Sequence, residues 1–211
     1  VEETPTLRLA NRDDVDAILA VYAPYVTETA VSFELEVPSR EAFRRRLSTH
    51  PCVVCTLDGR VVGFAGATAE RPQPAYRWNA EVSIYLELSC CRRGIGTEMY
   101  RALFELLAMQ GYRNLYAVIA LPNPASLALH LNLGFSAAGL HLRTGYKLGR
   151  WRDVQWLHKA VVETEDVEEA PPHPVGIQSL DPASVARVLS EATGRLRRAW
   201  AVRSPGAGSS D

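Results

Sequence analysis

Apolar and polar residues alternate from Thr6 to Ala10, the period of a strand with one buried face. After Asn11, a helix cap with Asp13 and Asp14 in the first turn, the period changes, and Val15, Ile18, Leu19 and Tyr22 fall on one helical face. Residues 27–36 are irregular and hold Phe33. Pro38-Ser39 opens a short second helix carrying Phe43 and Leu47. Asp58-Gly59 predicts a hairpin turn between strands at Cys52–Leu57 and Arg60–Ala67, and a proline-containing loop from Thr68 to Asn79 follows. Alternation then returns, with Val82, Ile84 and Leu86 on one face and Glu81, Ser83 and Tyr85 on the other. Met99, Leu103, Leu106 and Leu107 predict a helix that ends at Gly111. Asn114–Ala120 reads as a buried strand, Ser126–Leu131 as a short helix closed by Gly134-Phe135, and Leu140–Leu142 and Trp151–Val161 as strands joined through Tyr146–Arg150. Six or seven strands and about four helices give an α+β fold with a mixed, mostly antiparallel sheet.

Composition narrows the classes. In 211 residues, 23 Lys and Arg face 24 Asp and Glu, a net charge of −1 that argues against a general nucleic-acid binder. No apolar run approaches the roughly 18 residues of a membrane span. The N-terminus does not resemble a signal peptide, so a globular, cytoplasmic protein is expected. Cys52 and Cys55 have the spacing of a metal or redox pair. Residues three apart in a strand point to opposite faces, however, so buried free thiols are expected, and no metal.

Between the alternating strand and the third helix lies Cys91-Arg92-Arg93-Gly94-Ile95-Gly96. A strand that delivers glycines to a helix N-terminus presents bare N–H groups to an anion. Thr97-Glu98 excludes a Walker A loop, which needs Lys-Ser/Thr there, and Met99 stands where a dinucleotide fingerprint needs its third glycine.

The loop does resemble the Arg/Gln-x-x-Gly-x-Gly/Ala turn with which the GNAT superfamily of acyltransferases holds the pyrophosphate of coenzyme A, with Cys91 as a departure. Residues 22–26, 29–33, 75–81, 121–126, 130–135 and 145–154 are similar to phosphinothricin N-acetyltransferases and to relatives that acetylate methionine sulfone or sulfoximine. The resemblance spans roughly Thr6 to Val161. It implies the GNAT fold, an acetyl-CoA-dependent N-acetyltransferase acting on a small amino acid, and a homodimer. It assigns acetyl-CoA to Ile84, Leu86, Arg92, Arg93, Gly94, Ile95, Gly96, Thr97, Asn123 and Ser126, the last two being equally suited to turn and cap chemistry.

An ammonium must lose a proton before it attacks a thioester, and Glu81 matches the family's catalytic glutamate. His130 matches the position from which relatives protonate the departing thiolate; a catalytic acid, a ligand-orienting group and a packed side chain all suit it. The substrate carboxylate calls for arginine. Arg71 and Arg77 are the candidates, with Phe33, Tyr76 and Trp78 walling the pocket, although Gln73 departs from the Arg-Pro-Arg-Pro of relatives.

Residues 1–162 are expected to form the catalytic domain, and a chain ending at Val162 to fold by itself. Residues 163–211 read as an appendage: an acidic and proline linker, an amphipathic helix with Val185, Val188, Leu189, Ala192 and Leu196 on one side, and a flexible tail. The helix could dock on the domain, bind a partner or stay disordered, and a weakly ordered state is expected. Two rival readings remain, a GNAT enzyme for peptide N-termini or other amines, and a non-catalytic acyl-CoA binder.

Overall fold

A computed structural model describes residues 3–162 and 170–203. The acidic run from Glu163 to Glu169 and the Gly-Ser tail lie outside the described residues. Seven strands, β1 (Pro5–Leu9), β2 (Cys52–Leu57), β3 (Arg60–Ala69), β4 (Asn79–Leu86), β5 (Asn114–Ala120), β6 (Ser136–Lys147) and β7 (Arg150–Ala160), form one sheet in the order β1-β2-β3-β4-β5-β7-β6. Every neighbouring pair is antiparallel except β4 and β5. The helices are α1 (Val15–Thr27), α2 (Arg40–Thr49), α3 (Ile95–Gln110), α4 (Pro124–Asn132) and α5 (Pro182–Arg203).

Local chemistry sets the boundaries. The Asn11 side chain accepts from the Asp13 N–H, and the Asp14 carboxylate accepts from the Asn11 N–H, each at 2.8 Å, so the chain enters α1 through a capping box. Ser39 caps α2 by accepting from the Ala42 N–H. Gly111, at φ +101°, closes α3 in the left-handed conformation.

The sheet separates two apolar layers. On one face α1 and α2 bring Val15, Ile18, Tyr22, Val26 and Phe43 against Cys52, Val54 and Phe64. On the other, α3 and α5 cover Leu7, Val53, Cys55, Val62, Ala65 and Val82. Cys52 and Cys55 thus lie on opposite faces, as strand geometry requires, and burial pushes each thiol up to about 12.

Two expectations are corrected. Strand β6 begins at Ser136 and runs to Lys147, interrupted near Arg143, whose φ is +50°; the irregular pairing hid its period. The weakly ordered state expected for the segment after the linker does not describe residues 182–203. Val185, Val188, Ala192, Leu196 and Trp200 of α5 are buried in the same core as Met99 and Leu103 of α3. The buried Thr193 hydroxyl accepts from the Leu7 N–H at 3.0 Å, and Arg197 donates to the Pro5 carbonyl. The apolar side of α5 answers an apolar strip between α3 and β1 that a reading of α5 alone cannot see.

Candidate active site

The site follows from how β4 and β5 meet. They pair only at Asn79 with Asn114, Ala80 with Leu115 and Glu81 with Tyr116, and beyond Glu81 the ladder stops. The strands then diverge, and the cleft between them passes from one face of the sheet to the other. On the α1 and α2 side it is lined by Tyr22, Val31, Ser32, Phe33, Glu34, Arg46, Thr68, Glu81, Ser83, Tyr85, Val118, Ala120 and Val154, and has a volume of about 510 Å3. That is room for a small molecule. On the α3 and α4 side Tyr100, Asn123, Ser126 and His130 line its continuation, and Glu81 borders both parts.

Glu81 is partly buried. Burial, and then the nearby Glu70 carboxylate, raise it above the ordinary glutamate range, which suits a group that must accept a proton. One oxygen of Glu70 is buried without a hydrogen-bond partner, while the carboxylate pairs with Arg71 at 3.0 Å.

His130 is 3% exposed, between Tyr100 and Phe135. Its Nδ1 lies 2.8 Å from the Ser126 carbonyl, which only accepts, so Nδ1 carries the proton. Nε2 is then the acceptor, and the Tyr100 hydroxyl, 3.1 Å away, donates to it. Burial lowers the imidazole below its usual range and it stays neutral, while burial raises Tyr100. A neutral ring with both nitrogens engaged has no proton at Nε2 to give. Tyr100, which sequence reasoning missed, is a phenol in the wall of this part of the cleft. A tyrosine inside the apolar stripe of Met99, Leu103 and Leu107 is its signal, because a buried phenol needs a partner.

On the other side of β4, Ile84 and Leu86 approach the start of α3. A side chain at Gly96 would begin 3.5 Å from Ile84 and 3.7 Å from Leu86. Gly94 has φ +89° and no side chain caps the helix, so the N–H groups of the first turn are left for a ligand. Arg92 and Arg93 precede them; Ile95 is buried and Thr97 faces outward in part. Asn123 accepts from the Ser126 N–H at 3.1 Å and caps α4. These bare N–H groups and the crowding at Gly96 fit the cradle expected for a diphosphate.

The expected carboxylate clamp is not where the cleft is. Of its five residues only Phe33 lines the cleft, its ring set over Gly145, where a Cβ would come within 2.3 Å. Lys147 donates from its ammonium to the Ser32 and Glu34 carbonyls, at 2.6 and 2.7 Å, and so fixes Phe33. A helical turn at Pro74–Tyr76 carries the loop outward. Arg71 pairs with Glu70 and stacks on exposed Tyr76, Arg77 donates to the Pro74 carbonyl and the His173 ring, and Trp78 donates to the Pro172 carbonyl at 2.9 Å. Arg46 is the arginine in the cleft wall, paired with Glu34 at 2.6 Å. In the sequence it is the last of three consecutive arginines, Arg44 to Arg46, and nothing local singles it out.

Comparison with known proteins agrees with this geometry. A model described as the acetyltransferase (GNAT) domain matches residues 7–156. A phosphinothricin N-acetyltransferase of Streptomyces viridochromogenes is 32% identical over 174 residues, covering 80% of this chain and 92% of that protein. An L-methionine sulfoximine/L-methionine sulfone acetyltransferase of Pseudomonas aeruginosa is 30% identical, covering 72% and 92%. The crystal structure of a GNAT superfamily phosphinothricin acetyltransferase from Sinorhizobium meliloti in complex with AcCoA superposes with a TM-score of 0.73 at 36% identity, over 78% of this chain and 94% of that one. With its parted central strands and bare helix N-terminus, and with that model matched over most of its length, the chain belongs to the GNAT acetyltransferase family.

Proposed function

We propose that the protein acetylates the α-amine of a small free amino acid or analogue, of the phosphinothricin or methionine sulfoximine type, with acetyl-CoA as donor. The observation that carries the reading is the cleft that opens at Glu81. Glu81 there is a partly buried carboxylate of raised proton affinity, and Ile84 of the same strand lines the cleft and lies beside Gly96 in the first turn of the uncapped α3.

Gly94 to Thr97 would hold the pyrophosphate, with Arg92 and Arg93 beside it, and Ile84, Leu86, Asn123 and Ser126 would flank the arm that follows. Bound there, acetyl-CoA supplies a thioester whose carbonyl carbon exchanges its C–S bond for a C–N bond to the amine. The ammonium gives up two protons in all. Glu81 takes one and passes it to solvent; the other ends on the sulfur, giving the free thiol. We assign the Tyr100 hydroxyl, whose one proton points at His130 Nε2 at rest, to turn that proton to the departing sulfur. His130 positions Tyr100 through Nε2 and is not itself the acid.

For the substrate carboxylate, the assignment moves from Arg71 and Arg77 to Arg46, whose planar guanidinium lines the cleft and pairs there with Glu34. Phe33, Tyr22 and Tyr85 then face the side chain. A homodimer is part of the reading. Leu140, Leu142, Tyr146, Leu148 and Trp151 are exposed along the β6–β7 hairpin, an apolar patch at the sheet edge beside the cleft. Buried thiols at Cys52 and Cys55 suit a reducing, cytoplasmic setting.

The test is thiol release from acetyl-CoA with a panel of amines. Release with phosphinothricin or methionine sulfone, and none with peptides, supports the reading. Release only with peptides would favour an enzyme for protein N-termini, and coenzyme binding without release a non-catalytic binder.

A further inference from the structure

The end of α5 lies against the loop that leads into α3. The Arg93 guanidinium carbon is 3.5 Å from the centroid of the Trp200 ring, which is itself buried. The Ala199 methyl is 3.7 Å from where a side chain at Gly94 would begin. One turn back along α5, Arg195 donates from Nε to one oxygen of Glu98 at 2.7 Å, while Arg101 donates to the other at 2.6 Å.

Each contact bears on an anion bound at the loop. Glu98 stands in the first turn of α3 and is buried, so its charge alone would repel a phosphate held by the helix N-terminus. Two arginines turn that liability into a local excess of one positive charge. The Arg93 guanidinium sits over the indole at cation–π distance, which restricts that side chain. A guanidinium so held keeps its fork of N–H donors for phosphate oxygens, which it grips two at a time. Without the indole, ordering that long side chain would be charged against ligand binding.

We propose that α5, which lies beyond the matched domain of residues 7–156, is part of the coenzyme site. Trp200 and Arg195 are positioning residues there: one holds Arg93 and the other neutralises Glu98 for the diphosphate of the acyl donor. The proposal rests on the reading of Gly94 to Thr97 as a pyrophosphate cradle.

The experiment compares two ligands that share the pantetheine arm, coenzyme A and pantetheine, by titration calorimetry on the full chain. The proteins are wild type, Trp200→Leu, Trp200→Phe and Arg195→Gln, each checked for a native circular dichroism spectrum. Trp200→Leu is expected to weaken coenzyme A about tenfold, as loss of a desolvated cation–π contact implies, and to leave pantetheine unchanged. Trp200→Phe should recover most of the loss. Arg195→Gln, at a partly exposed side chain that tolerates exchange, should weaken coenzyme A several-fold, with a larger effect at low salt. In kinetics the same variants should raise KM for acetyl-CoA and leave kcat and the KM for S-acetylpantetheine in place. If Trp200→Leu does not fold, Arg195→Gln alone decides. Equal weakening of both ligands, or of neither, overturns the role of α5. If the wild type binds coenzyme A no more tightly than pantetheine, the cradle reading itself fails.

Discussion

Removal of α5 is the sharpest test of how this fold is held together. A chain cut after Val162 loses Val185, Val188, Leu196 and Trp200, all buried in the main core. At about 1.5–3 kcal/mol for each fully buried side chain, the four contribute on the order of 6–12 kcal/mol before the helix's own ordering entropy is set against them. The cut also leaves the Leu7 N–H without the Thr193 hydroxyl and Glu98 without Arg195. Total stabilities are about 5–15 kcal/mol, so the cut chain should lack a native state, in contrast to the expectation that Val162 closes an independent domain. The assay is near-ultraviolet circular dichroism with a thermal melt, on residues 1–162 beside residues 1–203. The shorter chain should show no cooperative transition and should bind hydrophobic dye. Within the full chain, Leu196→Ala should cost about 2–5 kcal/mol and lower Tm by roughly 4–20 °C. A 1–162 chain that melts cooperatively within a few degrees of the longer one would refute the reasoning.

The other expectations concern the cleft. Glu81→Gln should lower kcat about 10²–10⁴-fold and leave coenzyme A affinity nearly intact; wild-type turnover would end the general-base assignment. Activity needs Glu81 ionised and is lost as pH falls through its raised value; because Glu70 contributes to the rise, Glu70→Gln should move the acidic limb of the kcat/KM profile to lower pH, and a limb that stays put would remove Glu70 from the site. Tyr100→Phe should lower kcat by roughly tenfold or more with little change in KM, and unchanged kcat would return the proton question to His130. Arg46→Ala should reduce kcat/KM for a free amino acid by about 10²-fold or more and erase its advantage over the corresponding amide, while Arg77→Ala should do neither; the reverse pattern would restore the earlier clamp.

What was legible in the sequence was what local period and turn chemistry encode. Asn11, Ser39 and Gly111 mark helix ends where the caps are found, and the alternation at Glu81 to Leu86 correctly separates the face toward α1 from the face toward α3. Ile84 and Leu86 lie beside Gly96 because strand, loop and helix are contiguous. The substrate side was not legible, because it is built from distant segments. Arg46 reaches the cleft from α2, and Lys147 from β6 holds Phe33; neither has a local signature that separates it from a surface cation. Arg77 and Trp78 do not line the cleft, and the partners that hold them, His173 and Pro172, lie far along the chain.

The three-residue seam between β4 and β5 has a further consequence. A sheet ordinarily leaves backbone groups unpaired only along its outer strands. Here the outer edge of β1 is met by Thr193 and Arg197 of α5, while interior edges open on β4 beyond Glu81 and on β5 beyond Tyr116. Unpaired edges attract any extended chain with amides to share. An occupant with amide groups, laid between them, would act as a missing eighth strand, so binding would complete the sheet. Amide hydrogen exchange should report this directly. Protection should rise at Val82–Leu86 and Ala117–Ala120 when coenzyme A is added, and β2, already paired on both sides, should not change.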